Sequence, residues 1–331
     1  MYRSLISLSL LLTLLTVILS AYIRLAEVGI GCEDWPDCYA QLDPGGEKKG
    51  ITVLTDQGRD MGHRAARLAH RYIASFLGLF VVILFAMSLR NRDQHGTGLA
   101  VPACLFLITV FLSLLGYYTP TRDNPLITMG NLLGGLAMLG LFWWMMQRNT
   151  ESVVEADDKD TRGLVLLALG LVSLQIVLGG WSSANYASTA CPGLLTCDAP
   201  WFSASSYSEA YNPLREIPLD TTGKVVAQDA MGTMSMSHRA FALLTAAYLA
   251  WLMRKLRARE DLRASALATS ICSIGLILVG VSMIWLQLPL LLLSLHNTLA
   301  AGLLLGCVQL LHRLTPSEFP PAPPAGSPPP G

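Results

Sequence analysis

The stretch "HRYIASFLGLF" (His70–Phe80) returns, altered but recognisable, as "HRAFALLTAAYL" (His238–Leu249). Each copy places a His-Arg pair at the head of an apolar run. The interval is 168 residues in a chain of 331. Two further pairs keep nearly the same interval. "NLLGGLAMLG" from Asn131 resembles "HNTLAAGLLLG" from His296, 165 residues on. Cys32 and Cys38 in "GIGCEDWPDCYAQ" (Gly29–Gln41) are matched by Cys191 and Cys197 in "ACPGLLTC" (Ala190–Cys197), 159 residues on. Gaps in the loops absorb the drift, so the chain reads as a tandem repeat.

Composition says where such a repeat lives. Hydrophobic residues make up 52% and charged residues 14%, against about 25% charged in soluble domains. Mean hydropathy is +0.47. Several apolar runs approach or exceed the roughly 20 residues that span a bilayer. They are Leu5–Tyr22, Ala65–Leu89, Leu99–Tyr118, Leu126–Met146, Leu164–Ser182, Met234–Met253, Ala266–Trp285 and Leu288–Leu311. The first is too long for the apolar region of a signal peptide and no small-residue cleavage site follows, so it reads as a retained helix. The expected fold is an all-α polytopic membrane protein, with about eight transmembrane helices as two tandem four-helix bundles. Residues 1–150 form one half and 160–312 the other. A proline-rich tail, 313–331, is read as disordered. Parallel repeats about an axis along the membrane normal are an established membrane architecture.

Lys and Arg in short loops set the orientation. Arg90, Arg92, Arg148, Lys159, Arg162, the cluster Arg254–Arg263 and Arg313 crowd the helix ends on one side. That side is read as cytoplasmic, with both termini inside, in the inner (plasma) membrane. Net charge is zero, which offers no basic surface for a nucleic acid. The lipid bilayer is the expected environment, and both cysteine pairs fall on the outer side, where oxidation is permitted. Cys104, Cys272 and Cys307 fall within apolar spans and read as core residues.

Ionisable groups inside a span are costly, and functional by default. His70 lies in the outer part of the second span, His238 at the matching place in the sixth, and His296 within the eighth. His238 and His296 come from different helices and can approach one iron from opposite sides. Neither half clusters the three or four ligands that zinc takes; copper stays open, though no local cluster supports it. Two His ligands make a closed six-coordinate heme iron suited to electron transfer, and one ligand leaves a site open.

At these residues the chain resembles the heme A synthase family. The outer loop "GIGCEDWPDCYAQ", the run "LGGWSSANYASTACPGLLTC", and the motifs "SHRAFALL" and "LHNTLAAGLLL" carry the resemblance, which covers all but the tail. It implies a membrane oxidoreductase that oxidises the C8 methyl of heme O to a formyl group, giving heme A for cytochrome oxidase. It implies that His238 and His296 ligate a heme b in the second half, and that His70 serves the substrate heme in the first. Cys32 and Cys38 become the loop pair. Heme O synthase and cytochrome oxidase assembly proteins become candidate partners. The electron donor, a quinol or a ferredoxin-like protein, and a homo-oligomeric state are left open. Two positions depart from the family's pattern: Arg67 stands where Glu is common, and Asn131 where His is common.

The remaining expectations concern neighbours of these groups. Repeated spacing in an oxidising compartment predicts disulfides Cys32–Cys38 and Cys191–Cys197, which either stiffen a lid over the heme edge or, at Cys32 and Cys38, take part in catalysis through thiol redox chemistry. Arg67, Arg71 and Arg239 are read as partners of heme propionates, since Arg pairs well with carboxylates, or as interfacial side chains that snorkel. His63 is seven residues before His70, about 10 Å along the same face, so the two cannot flank one iron. Asn131 either steadies a small ligand opposite His70 or bonds a neighbouring span. Two competing functions remain: a diheme cytochrome b electron carrier or quinol oxidoreductase, and a repeat-built transporter, which predicts Gly/Pro-broken helices.

Overall fold

The computed structural model of the protein describes residues 1–27, 57–90, 98–118, 125–149, 158–197, 201, 203–215, 217, 225–226, 228–286 and 290–316. Among these, nine α-helices follow in order: α1 (Tyr2–Glu27), α2 (Gln57–Arg90), α3 (Ala100–Tyr118), α4 (Pro125–Arg148), α5 (Lys159–Ala184), α6 (Ala204–Ala210), α7 (Asp229–Leu256), α8 (Glu260–Trp285) and α9 (Leu290–Arg313). Among the described residues, seven of these are long and apolar enough to cross a membrane. The exceptions are short α6 and the 28-residue α7.

α7 falls short because it carries Asp229, Ser235, Ser237, His238 and Arg239 in its outer half. It nevertheless runs antiparallel to α5 over the same depth. At one end Met231 and Met234 pack with Trp181. At the other, Leu249, Leu252 and Met253 pack with Val165, Ala168 and Val172. The Tyr248 hydroxyl donates to the Leu164 carbonyl at 2.9 Å. Protein neighbours thus cover polar residues that lipid would penalise.

The helices pack as two rings. α1 contacts α2 and α4, and α3 closes the ring against both. In the second half α5 contacts α7 and α9, and α8 closes that ring in the same way. α2 and α4 therefore stand at opposite corners of the first ring, and α7 and α9 at opposite corners of the second. The rings join through α4 against α9, α1 against α9, and α4 against α5. The seam is apolar: Leu136 and Leu139 of α4 pack with Ala301 and Leu304 of α9, flanked by Leu14, Val17 and Ile176. With no hydrophobic drive between helices in lipid, close fit must supply the attraction. Glycines allow it. Gly130 and Gly134 of α4 take Leu115 and Leu112 of α3 against their backbone, and Gly302 and Gly306 of α9 take Cys272 and Thr269 of α8. Among the described residues no spanning helix carries the midplane break expected of a transporter.

Each ring has an apolar plug at the end rich in Lys and Arg. In the first it is Ile6, Leu77, Val81, Leu84, Leu105, Met138, Phe142 and Met145. In the second it includes Val172, Leu249, Leu252, Leu303, Cys307 and Leu310. At this end Arg3 donates to the Asn149 carbonyl. Arg148 donates to the carbonyls of Thr315 and Pro316, and Arg259 bridges Asp158 and Asp261. Cys307 belongs to the core as expected, but Cys104 lies exposed on α3. A thiol is apolar enough to face the solvent of an apolar span.

Candidate functional site

Helical periodicity places the histidines. His70 is seven residues, two turns, outward of Leu77 on α2; Leu77 points into the first ring's plug. Asn131 is likewise two turns outward of Met138 on α4, which packs in the same plug. Both residues therefore project inward from opposite corners at equal depth. The second ring repeats the plan. His238 is two turns outward of buried Thr245, and His296 two turns outward of Leu303. Each half is closed below and carries a facing pair of side chains above.

The second pair is seated closely. The His238 imidazole lies flat over Gly179 of α5: a Cβ added there would sit 2.7 Å from Cε1 and 3.1 Å from Nδ1. Only glycine leaves room for it. One turn earlier on α5, Gln175 Nε2 stands 3.0 Å from His238 Nδ1 and donates to the His238 carbonyl at 3.2 Å. His296 packs on Gly280 of α8 with more room, Cε1 lying 3.5 Å from a Cβ built there. Its Nδ1 is buried with no hydrogen-bond partner among the described residues.

A disulfide-closed loop is tied to α7 beside His238. Cys191 and Cys197 form the expected disulfide. Arg239, next to His238, donates to the loop carbonyls of Gly193, of Leu194 at 2.9 Å and of Cys191 at 3.1 Å. Its guanidinium thus pins the loop and keeps donors to spare. Trp181 donates to the Ala210 carbonyl at 2.8 Å, tying α5 to α6. Arg215, 8% exposed, reaches Asn185 Oδ1 at 3.3 Å and Gln228 Oε1 at 3.0 Å. Burial lowers its pKa, and Glu209 at 3.8 Å opposes that shift.

The first pair is seated differently. His70 is half-buried, and Arg67, Arg71 and Asn131 are exposed. Neither His70 nor Asn131 has a hydrogen-bond partner among the described residues. Within that set Asn131 therefore does not bond a neighbouring span. Cys32, Cys38 and the side chain of His63 lie outside the described residues. At the outer end of α1, Arg24 donates to Ser183 Oγ of α5 at 2.6 Å, linking the halves.

The sequence pattern of the cytochrome oxidase assembly protein family matches residues 3–308 of this chain. The chain belongs to that family. A member named heme A synthase, from Shewanella oneidensis, is 31% identical over 320 residues, covering 92% of this chain and 94% of its own. The matched region of the cytochrome oxidase assembly protein family thus takes in both rings and both facing pairs.

The donor set suits heme. Two imidazoles on opposite corners would serve as the protein ligands of one heme iron. Among the described residues no three His, Cys, Asp or Glu gather as a metal cluster. The glycine seat and the unpartnered His296 Nδ1 fit imidazoles held for a group between them. Gln175, Gly179 and Gly280 escaped the sequence reading. Only the four-residue interval between Gln175 and Gly179 hinted that both share a helix face with His238 across from it.

Proposed function

We propose that this chain is a heme A synthase. It takes heme O as substrate and oxidises its C8 methyl to the formyl group of heme A. The observation that carries the reading is the facing pair at matched depth in both rings, in a chain related over nearly its whole length to a protein of that name.

His238 and His296 hold a heme b in the second ring. When bound, that heme would supply one-electron transfer. The chain does the rest. Gly179 and Gln175 fix the imidazole of His238. The disulfide loop, pinned by Arg239, excludes water from above, and the Met231–Met234–Trp181 cluster excludes it from the side. In the first ring His70 holds the substrate. Asn131 faces it from the opposite corner and is a poor ligand, so that side of the substrate stays accessible. Its amide can donate and accept hydrogen bonds there. Arg67 and Arg71 are exposed beside His70 and suited to propionates. Both termini lie in the cytoplasm, since the Lys- and Arg-rich helix ends share the side of the plugs, and the membrane is the inner (plasma) membrane. The halves 1–150 and 160–312 divide the labour between substrate and electrons.

The test is the heme content of membranes. Deleting the gene should abolish heme A and leave heme O to accumulate, and the wild-type chain should restore heme A. Unchanged heme A in the deletion strain, with no second copy of the gene, would reject the reading.

A further inference from the structure

The Gln175 amide poses a problem of atoms. Its Nε2 serves both His238 Nδ1 and the His238 carbonyl, while its Oε1 is buried with no hydrogen-bond partner among the described residues. This arrangement requires Nδ1 to accept, so the ring proton must sit on Nε2. An imidazole whose Nε2 binds iron has the opposite tautomer: Nδ1 carries the proton and must donate. Left as it stands, the amide N–H would then oppose the ring N–H. A half-turn of the amide resolves the clash at Nδ1, at the cost of moving the NH2 group to the buried position that Oε1 held. Oε1 takes the position facing Nδ1–H, and the unpartnered oxygen gains a donor. The bond to the His238 carbonyl is lost, but that carbonyl sits inside α7 and keeps its helical partner.

His296 has no such neighbour. Its buried Nδ1 meets no partner among the described residues. The two facing imidazoles, alike in depth and origin, therefore differ in what stands behind them. An acceptor behind Nδ1–H fixes ring orientation and raises ligand basicity.

We propose that Gln175 is a positioning residue for His238 that sets the reduction potential of the second-ring heme. The inference rests on the assignment of His238 and His296 to heme b. By accepting from Nδ1–H it makes His238 the stronger donor of the pair, stabilises the ferric state and lowers the potential. It also holds the His238 ring in place.

The experiment is a potentiometric titration of the low-spin heme in purified wild-type, Gln175→Met and Gln175→Glu proteins. Met matches Gln in length and offers no comparable acceptor. It should favour the ferrous state about tenfold, a rise of about 59 mV for one electron. Glu keeps an acceptor and strengthens it, so its potential should fall below wild type. A residue that merely filled space would leave the potential of Gln175→Met unchanged, since Met fills the same space. A bis-His heme whose potential is unchanged in Gln175→Met overturns the inference and leaves the heme assignment standing. Should the Met protein hold no heme, the Glu protein decides, and a potential at or above wild type overturns the inference. A wild-type protein without any bis-His heme overturns the assignment and this inference together.

Discussion

The two rings share a plan and differ in finish. In the second, the inward-facing imidazoles rest on glycine backbone, one is held by an amide, and a disulfide-closed loop is tied to α7 beside it. In the first, His70 and Asn131 face inward at the same depth with no hydrogen-bond partner among the described residues. The difference matches two physical demands. A group that only changes charge works best in a fixed setting, which needs no reorganisation when the electron arrives. A substrate must enter and leave, so its site cannot be filled by its own walls. On the proposed reading, one helix plan serves both rings, and side chains on a few helix faces divide its uses.

The comparison can be broken most directly at its ligands. His238→Ala or His296→Ala should eliminate the low-spin heme spectrum and turnover, and His70→Ala should eliminate turnover while sparing that spectrum. If His70→Ala removes the low-spin heme instead, the roles of the rings are reversed.

The next effect is steric. In Gly179→Ala the new methyl would stand 2.7 Å from the His238 imidazole, against 3.5 Å for Gly280→Ala at His296. The first should lose most of its bound heme b, at an overpacking cost of about 1–3 kcal/mol, and the second should retain it. Equal heme content in the two purified variants would show that the seat at Gly179 is not selective.

Asn131→His sharpens the contrast by giving the first ring the ligand pattern of the second. Wild-type protein loaded with heme O should show a high-spin component that binds carbon monoxide. The variant should convert it towards low spin and lose activity. A wild-type substrate heme that is already low-spin with two protein ligands would contradict the open site.

The smallest effect belongs to the disulfide loop. Cys191→Ser with Cys197→Ser removes a closure of about seven residues worth about 2 kcal/mol by the chain-entropy account. Thermal unfolding in detergent should shift down by a few degrees, with the low-spin spectrum unchanged at room temperature. Loss of that spectrum would mean that the loop shapes the site rather than stiffening it.

Much of this plan is legible in the amino-acid sequence alone. Apolar length finds the spans, because lipid demands it, and the repeat locates the four inward-facing residues. The helix bounds are less visible. α2 begins at Gln57, several residues before its apolar run, since a helix does not need to stop at the membrane surface. α6 is too short and polar for a hydropathy reading, yet its capping box, Ser203 with Ser206, is there to be found. Gln175 escapes for a different reason. Searches for chemistry look for ligands and charges, and an amide that holds a ligand is neither. Asn131 is ambiguous in the sequence, because bonding a neighbour and facing a site demand the same residue type.

The double glycine at the outer end of α5 has one more consequence. Consecutive helical residues look about 100° apart around the axis, so adjacent positions serve different neighbours. Gly179 receives His238 of its own ring, while Gly180 receives Met129 and Leu132 of α4, a Cβ there meeting Leu132 at 2.6 Å. Leu132 is the chain neighbour of Asn131. At this point the α5 backbone itself is in contact with the His238 imidazole on one side and with Met129 and Leu132 of α4 on the other. Under the proposed division of labour, a charge crossing from one half to the other meets closely packed atoms here, because two side chains are absent.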